Sequence, residues 1–430
     1  MRFAIYDLPP HQNLWCGGLR FTISLFAAVL LLITCVDCSA GDISFGSPFG
    51  ISHPDKKASP PAAEVYDGKI FISYIREEGT VYITTLSADG KTLIAPVKIN
   101  DKNSLANGIH QSPGLAVGSK GEIYVTWTSP REGDEFVADI RFAVSTDGGK
   151  TFSPSVVVND NTMSSSRGFE SIATGKNGTV FVAWLDGREK KQGASSAYFS
   201  RSTDSGKTFE KNIKLDDNAC PCCRTAITSG PNGVVYVSWR KVFEGDMRDM
   251  VVAGSWDSGK TFQQPVVVNR DQWVIQGCPH RGPSMAVDDK GALYYTWYTE
   301  GKEGFPAVYL SISKDGGKTF TERQLLPVGN SVFPDHPRLA VGKDGTVSVV
   351  WEEKTPVVSK IVFASYQDEK GFSKPEQLSQ GIRRSYEPVV KIGNQGAVFT
   401  IWAYDEIRFT KVVIKTIGDY KRSGTKLQRF

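Results

Sequence analysis

The sequence predicts an all-β chain, a seven-bladed β-propeller of four-stranded antiparallel blades, and three observations predict it. An alternating strand that closes in an aromatic residue returns at Tyr74, Trp127, Trp184, Trp239, Trp297, Trp351 and Trp402, at intervals of 53, 57, 55, 58, 54 and 51 residues. The phrase Ser-X-Asp-X-Gly-Lys-Thr-Phe starts at Ser145, Ser202, Ser255 and Ser313, with worn copies at Ser87 and Ser365. Each period carries four short runs of period-two alternation, which is the content of one propeller blade.

In chain order, residues 1–40 come first. The apolar run Phe21 to Val36 follows Arg20 and ends at Cys38-Ser39-Ala40, as a cleavable export signal does. An uncleaved membrane anchor and a lipoprotein signal around Cys35 are the alternatives. The expectation is an exported protein, periplasmic, secreted or membrane-anchored, with residues 41–430 forming one domain. The formal net charge is +4 and no block of Lys and Arg interleaves with aromatics, so nucleic acid is not expected as a partner. A monomer with an acidic ligand is expected.

From there the elements repeat. Leu115 to Trp127 and Leu339 to Trp351 each hold two strands about a tight Gly turn. A third strand follows, as at Arg141-Phe-Ala-Val, then the Asp-containing phrase, then a fourth such as Ser155-Val-Val-Val. In the phrase, the Asp carboxylate accepts from backbone N–H groups, the Gly takes a positive φ, and the Phe anchors the turn in the apolar layer. The last period has strands at Pro388, before Trp402 and at Ile407, but no fourth. The segment from Phe45 to Ile51 resembles the other fourth strands and is expected to complete that blade and close the ring.

The repeated phrase is that of the Asp-box, or bacterial neuraminidase repeat, and through it the chain resembles the sialidase-like β-propellers. The resemblance allows six blades as the alternative count. It implies an exported exo-glycosidase that grips an acidic sugar with arginines, uses a Tyr assisted by a Glu as nucleophile and an Asp as acid. On that pattern Tyr386 is the nucleophile, Glu170 or Glu387 its helper, and Asp186 and Asp335 the acids. Arg167, Arg224, Arg281, Arg338 and Arg384 are the clamp.

All of these but Asp186, which follows Trp184, lie in the links from each fourth strand to the next first strand, the loops that line a propeller's ligand face. The same links hold His110, His280 and Trp273, which join the substrate-binding set. An alternative use of each arginine is to pair with Asp or Glu and lock neighbouring blades.

Four of seven cysteines also fall in two neighbouring links. Cys220 and Cys278 each stand 19 residues before their blade's Trp, so they are expected side by side. In an exported chain the expectation is a Cys220–Cys278 disulfide and no cofactor. The alternative is a copper or zinc site made by Cys220, Cys222, Cys223, Cys278 and His280, with Met285 nearby. In that case the protein is a non-catalytic binding or metal-handling propeller.

Overall fold

The structure, a computed structural model, describes residues 43–52, 57–107, 111–189, 195–302, 304–380, 384–393, 396–404 and 407–414. The leader and His110 lie outside them. Short sheets account for nearly all regular structure, and the only helical pieces among the described residues are three-residue 3-10 turns. Antiparallel four-stranded runs follow one another along the chain in a propeller-like arrangement.

The first run is Ala62–Tyr66, Lys69–Ile75, Val81–Ser87 and Thr92–Lys98. The second runs from Gly114–Val117 to Val156–Val157. Two more such runs are joined edge to edge into an eight-stranded sheet by a single pair, Ala219 opposite Lys241. In each run the first strand is innermost. Ala62–Tyr66 neighbours Gly114–Val117, then come Arg167–Thr174, Ala226–Ser229, Ser284–Val287, Phe333–Val341 and Tyr386–Ile392, which returns to Ala62–Tyr66. Their middle residues, among them Ala116, Ile172, Ile227, Ala286, Ala340 and Val390, surround an axial cavity of about 330 Å³.

Alternation explains where the core sits. Successive side chains on a strand point to opposite faces, and here both faces of each sheet are covered by the neighbouring sheets. Trp127 packs with Ile75, Val81 and Leu115, while Trp351 packs with Tyr298, Val308 and Leu310. Tyr74 and the six aromatic-ended Trp residues are all buried to 1% exposure or less.

The Ser-X-Asp turns behave as their sequence predicts. Ser145 Oγ donates to Asp147 and accepts from Gly149 N, and Asp147 accepts from Thr151 N at 3.0 Å and Thr151 Oγ at 2.6 Å. The same pattern recurs at Asp204, Asp257 and Asp315. Gly149, at φ 91°, takes the left-handed position the turn needs. Phe152, Phe209, Phe262 and Phe320 pack against the inter-sheet layers.

The first and last described strands meet in one sheet. Ile43–Phe45 pairs antiparallel with the outer strand Ile407–Ile414, and Phe49–Gly50 pairs farther along the same strand. The closing segment is thus split in two and starts slightly earlier than the sequence suggests, because Pro48, which has no N–H to donate, interrupts the ladder.

Candidate active site

The starts of the inner strands build the site. On Arg167–Thr174, Phe333–Val341 and Tyr386–Ile392 the charged residues come first and residues lining the axial cavity follow, as in Arg338 before Leu339 to Val341. Register shifts bend three of these starts, and two of them build this site, between Asp335 and Arg338 and between Tyr386 and Val389. At each bend a residue other than glycine holds a left-handed backbone, His336 at φ 43° and Glu387 at φ 49°. Such positions cost on the order of 1–3 kcal/mol and gather at functional sites, where the surrounding structure holds them.

The bends bring His336 between three carboxylates. Its Nδ1 is 2.7 Å from Glu352 Oε1 and 3.4 Å from Asp335, and its Nε2 is 3.6 Å from Glu387. Burial opposes its charge, but Glu387, Glu352 and Asp335 together hold the imidazole above its ordinary pKa. Glu352, buried at the end of the strand that carries Trp351, also accepts the backbone N–H of Glu387 at 2.7 Å.

Asp335 does not have the environment of a proton donor. Arg281 grips it through Nε at 2.6 Å and Nη2 at 2.7 Å, and Lys354 approaches to 2.6 Å. Against the effect of burial, His336, Arg281 and Lys354 hold its carboxyl far below the usual carboxylate range. Asp335 is expected from the sequence to be the acid; these contacts favour its ionised form and let it position Arg281, His336 and Lys354.

Asp186 and Arg167 are likewise ion-paired. Both side chains are fully buried, with Arg167 Nε 3.1 Å from Asp186, and Asp186 also takes Arg188 and the Trp184 indole N–H. Arg167 further donates to Ala138 O and Asn161 Oδ1. They lock two sheets together and touch no ligand space. Trp273 is buried too, beneath the Arg240 guanidinium at 4.8 Å and against Tyr298, so it is core rather than a stacking platform. Glu170 is buried and accepts from Thr128 Oγ at 2.8 Å.

Of the five arginines expected to form the clamp, three have no carboxylate at ion-pair distance among the described residues. Arg224 donates to the backbone oxygens of Glu170 at 2.8 Å and Ser112 at 2.6 Å. Arg338 reaches only the carbonyl of Pro337, at 3.3 Å. Burial pushes Arg338 below the usual arginine range; Glu387 resists this and Arg224 adds to it. Arg384, exposed, lies over the Tyr386 ring at 5.3 Å.

The four cysteines are free thiols, so the expected Cys220–Cys278 bridge is absent. Cys220 is buried against Cys222 at 3.7 Å and Cys223 at 3.5 Å, while Cys278 is exposed and groups instead with Cys222 and His280. Equal spacing from the Trp residues did not pair them, because the link that carries Cys278, between Val266–Val267 and Ser284–Val287, is longer than the one that carries Cys220, between Ile213–Ala219 and Ala226–Ser229.

Sequence reasoning missed Glu352, Lys354, Arg240 and Arg248. A usable signal existed for two of them: Glu352 and Arg240 directly follow the buried Trp of otherwise apolar strands, and such strand ends reach the same face as the links.

These features define a propeller-like all-β scaffold with an arginine, carboxylate and imidazole cluster at one mouth of its axis. No family model and no curated protein matches the chain. Among solved structures it is similar to an ulvan lyase bound to -[GlcA(1-4)Rha3S]-, at 11% identity over 90% of this chain and 98% of that one, with a TM-score of 0.56. It is also similar to the polysaccharide lyase Uly1, at 13% identity, 82% and 89% coverage and a TM-score of 0.53. The Hadza microbial sialidase Hz136 follows at 17% identity, 79% and 73% coverage and a TM-score of 0.48. At these identities the likeness speaks to fold.

Proposed function

We propose that this is an exported, seven-bladed propeller that processes acidic glycans, with Arg224, Arg338 and Arg384 as the carboxylate clamp. The blade count is supported by the seven inner strands that succeed one another around the axis. The function rests on a single observation: Arg338 is half-buried beside Arg224, and neither has a carboxylate at ion-pair distance among the described residues, Glu387, Glu352 and Asp335 acting on Arg338 only from farther away. Two close guanidiniums in a concave, partly dehydrated site favour an anion, and the planar fork of Arg suits a carboxylate.

The reading is a glycosidase of sialidase type. Tyr386, beside Arg384, is the nucleophile, and Glu387 is the nearest carboxylate in sequence to assist it. His336 replaces Asp335 as proton donor, since its three carboxylates favour its protonated form against the effect of burial. The similarity in fold to polysaccharide lyases makes eliminative cleavage of a uronate polymer the outcome to separate from hydrolysis.

The test is incubation of purified protein with a fluorogenic sialoside and with a panel of uronate and sulfated polysaccharides, reading released fluorophore, reducing ends and unsaturated ultraviolet-absorbing products. Fluorophore release, lost in Tyr386→Phe, supports the reading. Unsaturated products replace hydrolysis by elimination, and neither cleavage nor binding of any acidic glycan overturns it.

A further inference from the structure

The geometry points to a buried Cu(I) site made by the thiolates of Cys220, Cys222 and Cys223, with Cys278 and His280 forming its solvent-facing approach through the shared Cys222. All three sulfurs lie within 4.8 Å of one another, Cys220 being 3.7 Å from Cys222 and 3.5 Å from Cys223. Sulfurs held about 2.3 Å from one ion stand about 3.8–4 Å apart, so small movements complete the shell. Cys222, Cys278 and His280 form a second group within 4.8 Å, and the last two are exposed.

Charge gives the second, independent argument. Arg240 and Arg248 are buried, at 1% and 7% exposure, and act on Cys223 and Cys220; neither has a carboxylate at ion-pair distance among the described residues, although Asp249 acts on Arg240 from farther away. Arg248 Nη1 donates to Cys220 Sγ at 3.3 Å and to Gly277 O. The Nε atoms of both, and Nη1 of Arg240, have no hydrogen-bond partner. Buried cations need anions, and neutral thiols supply none. Three thiolates around a monovalent ion carry two negative charges in excess, which two guanidiniums offset. A divalent ion would leave one guanidinium unbalanced.

Coordination number agrees. Zinc in closed protein sites takes four ligands, whereas the inner group has three sulfurs and the outer pair approaches only Cys222. Soft thiolates in low coordination select Cu(I). Binding releases the thiol protons to solvent, so affinity rises with pH.

The experiment uses the full chain, reduced and handled without oxygen, titrated with Cu(I) in competition with a chromophoric Cu(I) chelator. The expected result is one equivalent withdrawn, a thiolate-to-copper ultraviolet band and an X-ray absorption shell of sulfurs. Cys223→Ser should weaken binding by at least roughly 100-fold. Should that variant fail to fold, Arg240→Met retains every thiol and should still weaken binding at least about tenfold. Cys278→Ser should keep stoichiometry and affinity while slowing metal transfer from the chelator. No copper withdrawn, unchanged affinity in both Cys223→Ser and Arg240→Met, a four-coordinate zinc ion held in preference, or a disulfide among the three inner cysteines in the protein as isolated would each overturn the assignment.

Discussion

The fate of each arginine turns on a few residues of offset. Arg167, Arg224, Arg281, Arg338 and Arg384 stand 17, 15, 16, 13 and 18 residues before their strand's aromatic, so each emerges at a different height and side of the inner strand. Arg167 falls into the core on Asp186, Arg281 meets Asp335, and Arg338 turns toward Arg224 and Glu387. Replacing Arg338 by Ala is therefore expected to weaken acidic-glycan binding by about 10–100-fold, the loss of one charge-assisted pair, while leaving Tm nearly unchanged. Calorimetric titration with the glycan and a melting curve check both halves.

His336 gives a pH signature. Its folded pKa lies above its unfolded one, so the protonated ring contributes stability fully at and below about pH 6.5, and that contribution is lost as pH rises through the folded pKa. The Tm gap between wild type and His336→Asn should narrow from pH 6 to pH 9; a gap that widens would reverse the assignment of charge.

Among elements, the Ser-X-Asp turns are the ones whose sequence states their geometry. Burial opposes ionisation of Asp204 and Asp257, but the hydroxyls and backbone N–H groups of Thr208 and Thr261 hold both at about 2. A depressed carboxylate stabilises the fold above its unfolded pKa, and the contribution fades as pH falls from about 4 toward 2. Asp257→Asn should lower Tm at neutral pH and flatten the acid limb of the Tm profile. An unchanged acid limb would mean that the turn does not sense protonation. The inner strands are less legible, since nothing in the composition of His336 or Glu387 announces a left-handed backbone.

At the scale of the whole molecule, pairing of the first described strands with the last is expected to decide stability. Deleting residues 41–52 strips Ile43–Phe45 and Phe49–Gly50 from the strand Ile407–Ile414 and leaves a bare sheet edge. Melting and light scattering should show a sharply lower Tm and association of the truncated chain; melting like the intact protein would disprove closure. Trp351→Ala, at a wholly buried position between two sheets, should cost about 3–5 kcal/mol in denaturant titration.

The sequence by itself determined the all-β class, the blade period, the turns and the closing segment, because each rests on local alternation or on a turn whose partners lie within four residues, as Asp147 and Thr151 do. From strand direction alone it predicted that the charged links share one face. The tertiary structure alone decided which charges neutralise each other. Asp335 is 54 residues from Arg281, and Glu352 reaches His336 across the register shift between Asp335 and Arg338. Cys222 meets Cys278 rather than leaving it to Cys220. Such pairings depend on side-chain height to within an ångström or two, which a bulge alters and a spacing in residues does not encode.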